Sequence, residues 1–168
     1  MINDLIDLIK IQSKNIEYYK KYPIVLIFFI MLLLEFPSTF FSESFESTFT
    51  SVLTLNLITV FVFTFIEAIF FAYWFGRIGK NHTFLAFLHY DVMVSIAANI
   101  PVIIILSLTQ NLNSSTWISI VAFLLAFIYV FYMFSVNLAV AIGSSKKYAF
   151  VAILIVVIFQ VIVEYLIL

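Results

Sequence analysis

Four ionisable side chains fall within long apolar stretches of this sequence, and they are the groups best placed to do chemistry. These are Glu67, His89, Asp91 and Glu164, with Asn99, Asn137 and Gln160 as neutral polar neighbours. A charge at the middle of a membrane-spanning helix costs on the order of 2.5 to 3.5 kcal/mol even on lenient insertion scales, so such groups mark candidate functional sites. Carboxylates and an imidazole at this depth can share a proton or hold a cation.

Depth along the helices separates these groups. At a rise of about 1.5 Å per residue from the nearest basic loop, Glu67 lies roughly 12 Å deep, Asp91 roughly 11 Å, and His89 and Asn137 roughly 8 Å. The sequence therefore predicts one polar layer formed by these four residues. The layer is either a proton-binding or cation-binding site or a set of interhelical hydrogen bonds that locks the bundle. Because His89 and Asp91 are two residues apart, they point to different helix faces, and no tight metal site is predicted.

The overall composition indicates the kind of scaffold that carries this layer. The chain has 168 residues, of which 65% are hydrophobic and 10% charged, whereas soluble domains are about half apolar and about a quarter charged. An integral membrane protein is expected. The length leaves room for about five spans of roughly 20 residues and for no separate soluble catalytic domain. Zero cysteines exclude disulfides and thiolate metal sites.

Five apolar stretches predict an all-α bundle, with an amphipathic helix over residues 1–22 and a five-helix transmembrane domain over residues 23–168. The spans are expected at residues 24–41, 52–75, 84–108, 117–142 and 148–168. In the first span, Glu35 and Pro37 interrupt the far end and leave an apolar run of only 11 residues. Several stretches are apolar on every side, which excludes the alternating pattern of a β-barrel.

All eight basic residues fall on one side of the predicted bundle. They are Lys10, Lys14, Lys20, Lys21, Arg77, Lys80, Lys146 and Lys147. The positive-inside rule then predicts a cytoplasmic N-terminus and an outer C-terminus. The expected location is the cell membrane in a prokaryotic source, or the endoplasmic reticulum or Golgi membrane in a eukaryotic one.

Two features offer contact surfaces besides the lipid bilayer itself. Residues 1–21 place apolar and charged side chains at helical spacing, as in an amphipathic helix along the cytoplasmic surface or against the bundle. This helix is either an anchor or a recognition surface for a cytosolic protein or curved lipid. Ser135, Ala139 and Gly143 recur every four residues and form a smooth stripe for helix packing, within the chain or in a homo-oligomer.

The sequence carries no motif of a known catalytic centre. It has no nucleophile motif, phosphate loop, paired-acid lipid-transferase motif or His-Glu-x-x-His zinc motif. A non-enzymatic protein without a cofactor is predicted. The basic residues are few and spread along the membrane surface, which argues against nucleic-acid binding.

From about residue 75 onward the order of features resembles the Yip family of Ypt/Rab-interacting membrane proteins. The resemblance rests on the basic glycine turn at residues 76–80, the patch at 89–91, Pro101, and the turn at 143–147 before a final apolar helix. It implies five spans, a cytoplasmic N-terminus and a non-enzymatic role in trafficking or membrane organisation.

Two functions are therefore expected. The first is a Yip-like membrane scaffold that acts on lipid or a protein partner. The alternative is a small oligomeric transporter or ion-conducting protein that uses the layer of Glu67, His89 and Asp91.

Overall fold

The computed structural model describes residues 1–40, 49–111 and 116–167. All elements within those residues are helical: α1 (Ile2–Ile9), a 3-10 helix (Ile16–Lys21), α2 (Ile24–Phe40), α3 (Phe49–Gly76), α4 (Phe84–Asn111), α5 (Thr116–Ile142) and α6 (Lys146–Ile167). Residues 41–48, 112–115 and 168, which include most of the two predicted outer loops and the ends of two predicted spans, lie outside the described residues. The side chain of Glu164 also lies outside them.

Four helices, α3 to α6, are long and apolar enough to cross a membrane. The expectation of an all-helical bundle with long apolar helices is confirmed for these four. Their bounds exceed the predicted ones by up to three residues, because polar residues that flank the apolar stretches continue the helices. α2 has 17 residues, but its apolar part, Ile24–Leu34, is shorter than the roughly 20 residues that a span needs.

α4 lies at the centre of the bundle. It packs against α1, the 3-10 helix, α2, α3 and α5, while α6 packs against α5 and α3. Nearly all side chains from Ala86 to Ala98 are buried as a result. His89 and Asp91, two polar residues in this part of α4, consequently face protein on all sides.

The first 22 residues, here called the N-terminal segment, do not form one continuous helix. α1 ends at Ile9, and the chain turns at Ile11, whose φ of 60° is in the left-handed region. This turn folds the chain back, so that Lys14 forms an ion pair with Asp4 of α1. The segment lies against the bundle, where Leu8 and Tyr19 are fully buried.

Two side chains of α5 fasten the end of α1 to the bundle. Asn137 donates a hydrogen bond from Nδ2 to the carbonyl oxygen of Leu8 over 2.8 Å. The Tyr129 hydroxyl donates to the carbonyl oxygen of Ile9 over 2.7 Å. The last carbonyl groups of a helix have no partner inside it. Tyr129 supplies a donor to Ile9, and Asn137 gives Leu8 a second donor besides the Ile11 N–H at 3.0 Å.

The N-terminal segment and two interhelical turns gather at one end of the bundle. Glu17 lies 3.4 Å from Nδ1 of His82 in the turn between α3 and α4. In the same turn, Lys80 Nζ lies 3.6 Å from the position that a Cβ atom at Gly143 would take. Gly143 ends α5 with a φ of 66°, the left-handed conformation that glycine adopts without steric cost.

Candidate functional site

A pair of carboxyl groups lies between α3 and α4. Asp91 is 1% exposed, and apart from Glu67 no described residue offers a hydrogen-bond donor to its carboxyl oxygens. Its carboxyl group interacts directly with that of Glu67. Two ionised carboxylates this close in apolar surroundings repel each other, so the pair is stable when one group carries a proton and donates it to the other.

Gln160 of α6 completes the surroundings of Glu67. Its Nε2 donates a hydrogen bond to Glu67 Oε1 across 93 positions of sequence. The Glu67 carboxyl group therefore contacts Asp91 from α4 and Gln160 from α6. Groups on three helices, α3, α4 and α6, therefore fix the orientation of the Glu67 carboxyl group.

Glu67 and Gln160 face a half-open cavity of about 470 Å³ between the helices, whose lining includes the exposed side chains of Phe127 and Val161. Helices α2 to α6 all contribute to its wall. The polar side chains of the wall are Thr59, Thr64, Glu67, Ser95 and Gln160. The aromatic ones are Phe63, Phe127, Phe131 and Phe134. None of the described residues that line the cavity is basic, so any charge on its wall is negative.

The predicted polar layer divides into separate contacts. The structure brings Glu67 and Asp91 together, but Asn137 bonds to the backbone of α1. His89 Nδ1 lies 2.7 Å from the carbonyl oxygen of Leu85 in its own helix. A carbonyl can only accept, so Nδ1 carries the proton in this contact. His89 and Asn137 are buried and do not line the cavity.

The small-residue stripe of α5 serves packing inside this chain. Ser135 and Ala139 are each 2% exposed in the single chain, so a second copy cannot reach them. The Ser135 hydroxyl donates a hydrogen bond to the carbonyl oxygen of Phe131 over 2.8 Å, so its partner lies within α5. Gly143, the third member, ends the helix.

A second charged cluster lies in the N-terminal segment around Asp4, which is 4% exposed. The Asp4 carboxylate contacts the ammonium groups of Lys14 and Lys21 and the hydroxyls of Tyr18 and Tyr22. Burial raises the pKa of this carboxyl group, but hydrogen bonds from Lys14, Tyr22 and Lys21 outweigh burial and hold the pKa well below its ordinary value. The cluster binds α1 to the start of α2 and is distinct from the cavity.

Metal ligation requires more donors than the carboxyl pair provides. Within the described part of the chain, no three His, Asp or Glu side chains come together as a metal site would require. What Glu67 and Asp91 can do is exchange a proton with each other and with a solute in the cavity.

Four polar residues of the cavity wall were not predicted as part of the site: Thr59, Thr64, Ser95 and Gln160. Gln160 appears in the sequence as the single amide of a long apolar helix, which was a usable signal. Gln160 was named only as a neutral neighbour and was not assigned to the layer, and its side chain meets that of Glu67 at the cavity. Thr and Ser in membrane helices often bond to their own backbone, as Thr64 does with Val60 over 2.8 Å, so they carry little signal.

No family model, curated protein or solved structure matches this chain. The class of the protein follows from the helices and the site. Four long apolar helices around the buried Asp91 and the half-buried Glu67 define a multi-pass helical membrane protein.

Proposed function

We propose that this protein is a small proton-coupled transporter of the membrane, in which the Glu67 and Asp91 pair takes up and releases one proton. The observation that carries this proposal is the position of Glu67, which contacts a buried carboxyl group on one side and a half-open cavity between the helices on the other. A group placed in this way can exchange its proton for a solute.

The structural alternative is that the pair only holds α3 and α4 together. The Asp91 carboxyl group has no polar partner among the described residues except Glu67, so at least one of its buried oxygens stays unpaired. A buried polar atom without a partner destabilises the fold, which argues against a purely structural role. Burial of this carboxyl group costs folding free energy and adds no stability in return. A group of this kind is a candidate for a functional role.

The transporter has five spans in this proposal, with the N-terminus in the cytoplasm and the C-terminus outside. α2 is then the first span, extended beyond Leu34 by less apolar residues. Ile24 of α2 and Phe84 of α4 border the same apolar cleft, which supports a common starting side for the two helices. The N-terminal segment also contacts the turn between α3 and α4 through Glu17 and His82. This contact agrees with the expectation that both carry basic residues on the same side of the membrane.

Single cysteines test this topology, because the natural chain has none. The variants are Gln12→Cys, Ser44→Cys and Ser145→Cys, labelled in intact cells with an impermeant thiol reagent. Five spans predict that only Ser44→Cys is labelled from outside. Labelling of both Gln12→Cys and Ser44→Cys from outside would show that α2 does not cross the membrane.

Proton binding and transfer are tested on purified protein. Infrared spectra should contain the carbonyl band of a protonated, buried carboxyl group, and this band should be lost or shifted in Glu67→Gln and Asp91→Asn. A pH step applied to proteoliposomes on a solid-supported membrane should give a transient current in the wild type and none in Glu67→Gln. Glu17→Gln makes the same chemical change at the protein surface and should behave as wild type. An equal current in Glu67→Gln and wild type would refute the proposal.

A second proposal retains the scaffold role that the resemblance to the Yip family implies. It is favoured by the exposed polar side of the docked N-terminal segment, where Lys10 and Lys20 lie at the surface. Deletion of residues 1–21 does not test it cleanly, because the deletion also removes the buried contacts of α1. Lys10→Glu with Lys20→Glu changes the surface and keeps the fold, and should abolish recruitment of a cytosolic partner if the segment is the docking site.

A further inference from the structure

We propose that the cavity binds a monovalent organic cation with an apolar body, such as a lipophilic amine or a quaternary ion, with Glu67 as its counter-charge. This inference rests on the proposed proton-coupled function and specifies the class of solute. It follows from the charge, the aromatic lining and the size of the cavity.

The charge of the cavity wall determines whether a positively or a negatively charged solute is favoured. Glu67 is the one ionisable group among the described lining residues, and its contact with Asp91 leaves the pair with at most one stable negative charge. Electrostatic attraction is strong in surroundings of low dielectric constant, so one positive charge is favoured and an anion is repelled. A dication would retain an unpaired charge.

The aromatic side chains select the body of the solute. Four phenylalanines line the cavity, together with valines, an isoleucine and a methionine. Phenylalanine faces attract cations and also cover apolar surface, which suits an amine with hydrocarbon substituents. A strongly hydrated solute such as a sugar would lose more hydrogen bonds to water than the few polar groups of this wall can replace.

The size of the cavity fits one molecule of this kind. Its volume of about 470 Å³ lies within the range of roughly 300 to 1,000 Å³ that is usual for small-molecule sites. Gln160 donates to Glu67 and keeps the carboxylate at the wall when the proton has left. The organic cation can then approach the Glu67 carboxylate in place of the proton.

Proton and cation compete for the same charge in this arrangement. When the cation enters, a pair that carries two protons releases one of them and keeps the other between Glu67 and Asp91, so that one positive charge is released for each one bound. Binding of the cation should therefore weaken as the pH is lowered. The same exchange would let a proton gradient drive the cation across the membrane.

Binding of tetraphenylphosphonium to the purified full chain tests the inference, with tetraphenylborate as a probe of similar shape and opposite charge. The cation should bind saturably, release protons into a weakly buffered solution, and bind more weakly at acidic pH. Glu67→Gln should weaken its binding about tenfold or more through loss of the counter-charge. Tetraphenylborate should show only unsaturable partition into the detergent micelle.

A second pair of variants tests the location of the site without a change of charge. Val157 of α6 lines the cavity, and Val157→Phe should fill part of it and reduce tetraphenylphosphonium binding. Val151 of the same helix is 42% exposed on the outer surface, and Val151→Phe should leave binding unchanged. Gel filtration and circular dichroism establish that all variants fold.

The outcomes separate this inference from the proposed function. Equal binding of the cation and the anion, or undiminished binding in both Glu67→Gln and Val157→Phe, overturns the inference. If the infrared band and the pH-step current are present but tetraphenylphosphonium does not bind, the proton-coupled function stands and the solute class is wrong. If tetraphenylphosphonium binds and depends on Glu67 while the current is absent, the site is real but transport is wrong.

Discussion

The side-chain amide of Asn137 donates a hydrogen bond to the carbonyl oxygen of Leu8, 2.8 Å away and 129 positions earlier in the chain. Both residues are fully buried. The bond joins α5 to the last turn of α1 and makes the N-terminal segment a packed part of the bundle. It also explains the role of Asn137, which was predicted from the sequence to lie in one layer with Glu67.

Asn137→Leu should lower the stability of the protein. The substitution removes the amide donor and leaves the Leu8 carbonyl with its weaker partner, the Ile11 N–H at 3.0 Å. We expect a loss of about 1 kcal/mol, measured as a lower midpoint of thermal unfolding in detergent. Ser135→Ala is the matched control, because that hydroxyl bonds only within α5. Equal effects of the two substitutions would contradict a special role for the contact with α1.

Asp91→Leu should have the opposite effect on stability. Glu67 is the one polar partner of Asp91 among the described residues, and it keeps its hydrogen bond from Gln160 when Asp91 is replaced. An apolar side chain of similar size is then neutral or stabilising at this site. We expect an unchanged or higher unfolding midpoint together with loss of the pH-step current. A fall as large as that of Asn137→Leu would mean that the carboxyl pair is structural.

The docking of the N-terminal segment should weaken in acid. The pKa of Asp4 is lower in the folded protein than in the unfolded chain, so its contribution to stability is complete above about pH 4 and is lost as the pH falls through the lower folded-state value. Hydrogen exchange of α1 should therefore accelerate at low pH.

At neutral pH, Asp4→Asn should already accelerate the hydrogen exchange of α1, because it lowers the free energy of opening by about 2 kcal/mol. The substitution should also remove most of the acid dependence of this exchange. Asp7→Asn serves as control, since Asp7 forms one ion pair with Lys14 at 3.3 Å and has a side chain 33% exposed. A small effect, within about 0.5 kcal/mol, is expected there. Identical exchange in both variants would contradict the importance of the buried cluster.

Gly143→Ala should destabilise the turn between α5 and α6. The added Cβ would meet Lys80 Nζ at an ordinary 3.6 Å, so the cost arises from the left-handed backbone at a φ of 66° and should be about 1 kcal/mol. Gly76→Ala is the control, because Gly76 is the last residue of α3 and alanine is the better helix former. Thermal unfolding of both variants in detergent measures the difference. A cost at Gly76 equal to that at Gly143 would contradict this explanation.

Much of the fold was predictable from apolar length. The stretches at 52–75, 84–108, 117–142 and 148–168 correspond to α3 to α6 because polar residues are too sparse to interrupt a helix anywhere else. The N-terminal segment was less predictable. A regular spacing of apolar and charged residues indicated one helix, but the turn at Ile11 divides it, because the reversal allows Lys14 to neutralise the buried Asp4.

The sequence by itself determined the positions of the four long apolar helices, the clustering of basic residues in particular loops, and the presence of Glu67 and Asp91 among apolar residues. Only the tertiary structure decided that Glu67 meets Asp91 and Gln160 at a cavity, whereas Asn137 turns to Leu8. The physical reason lies in the helices themselves. They are apolar on every face, so their periodicity does not indicate which face is inward, and contacts 93 or 129 positions apart depend on packing that local sequence does not encode.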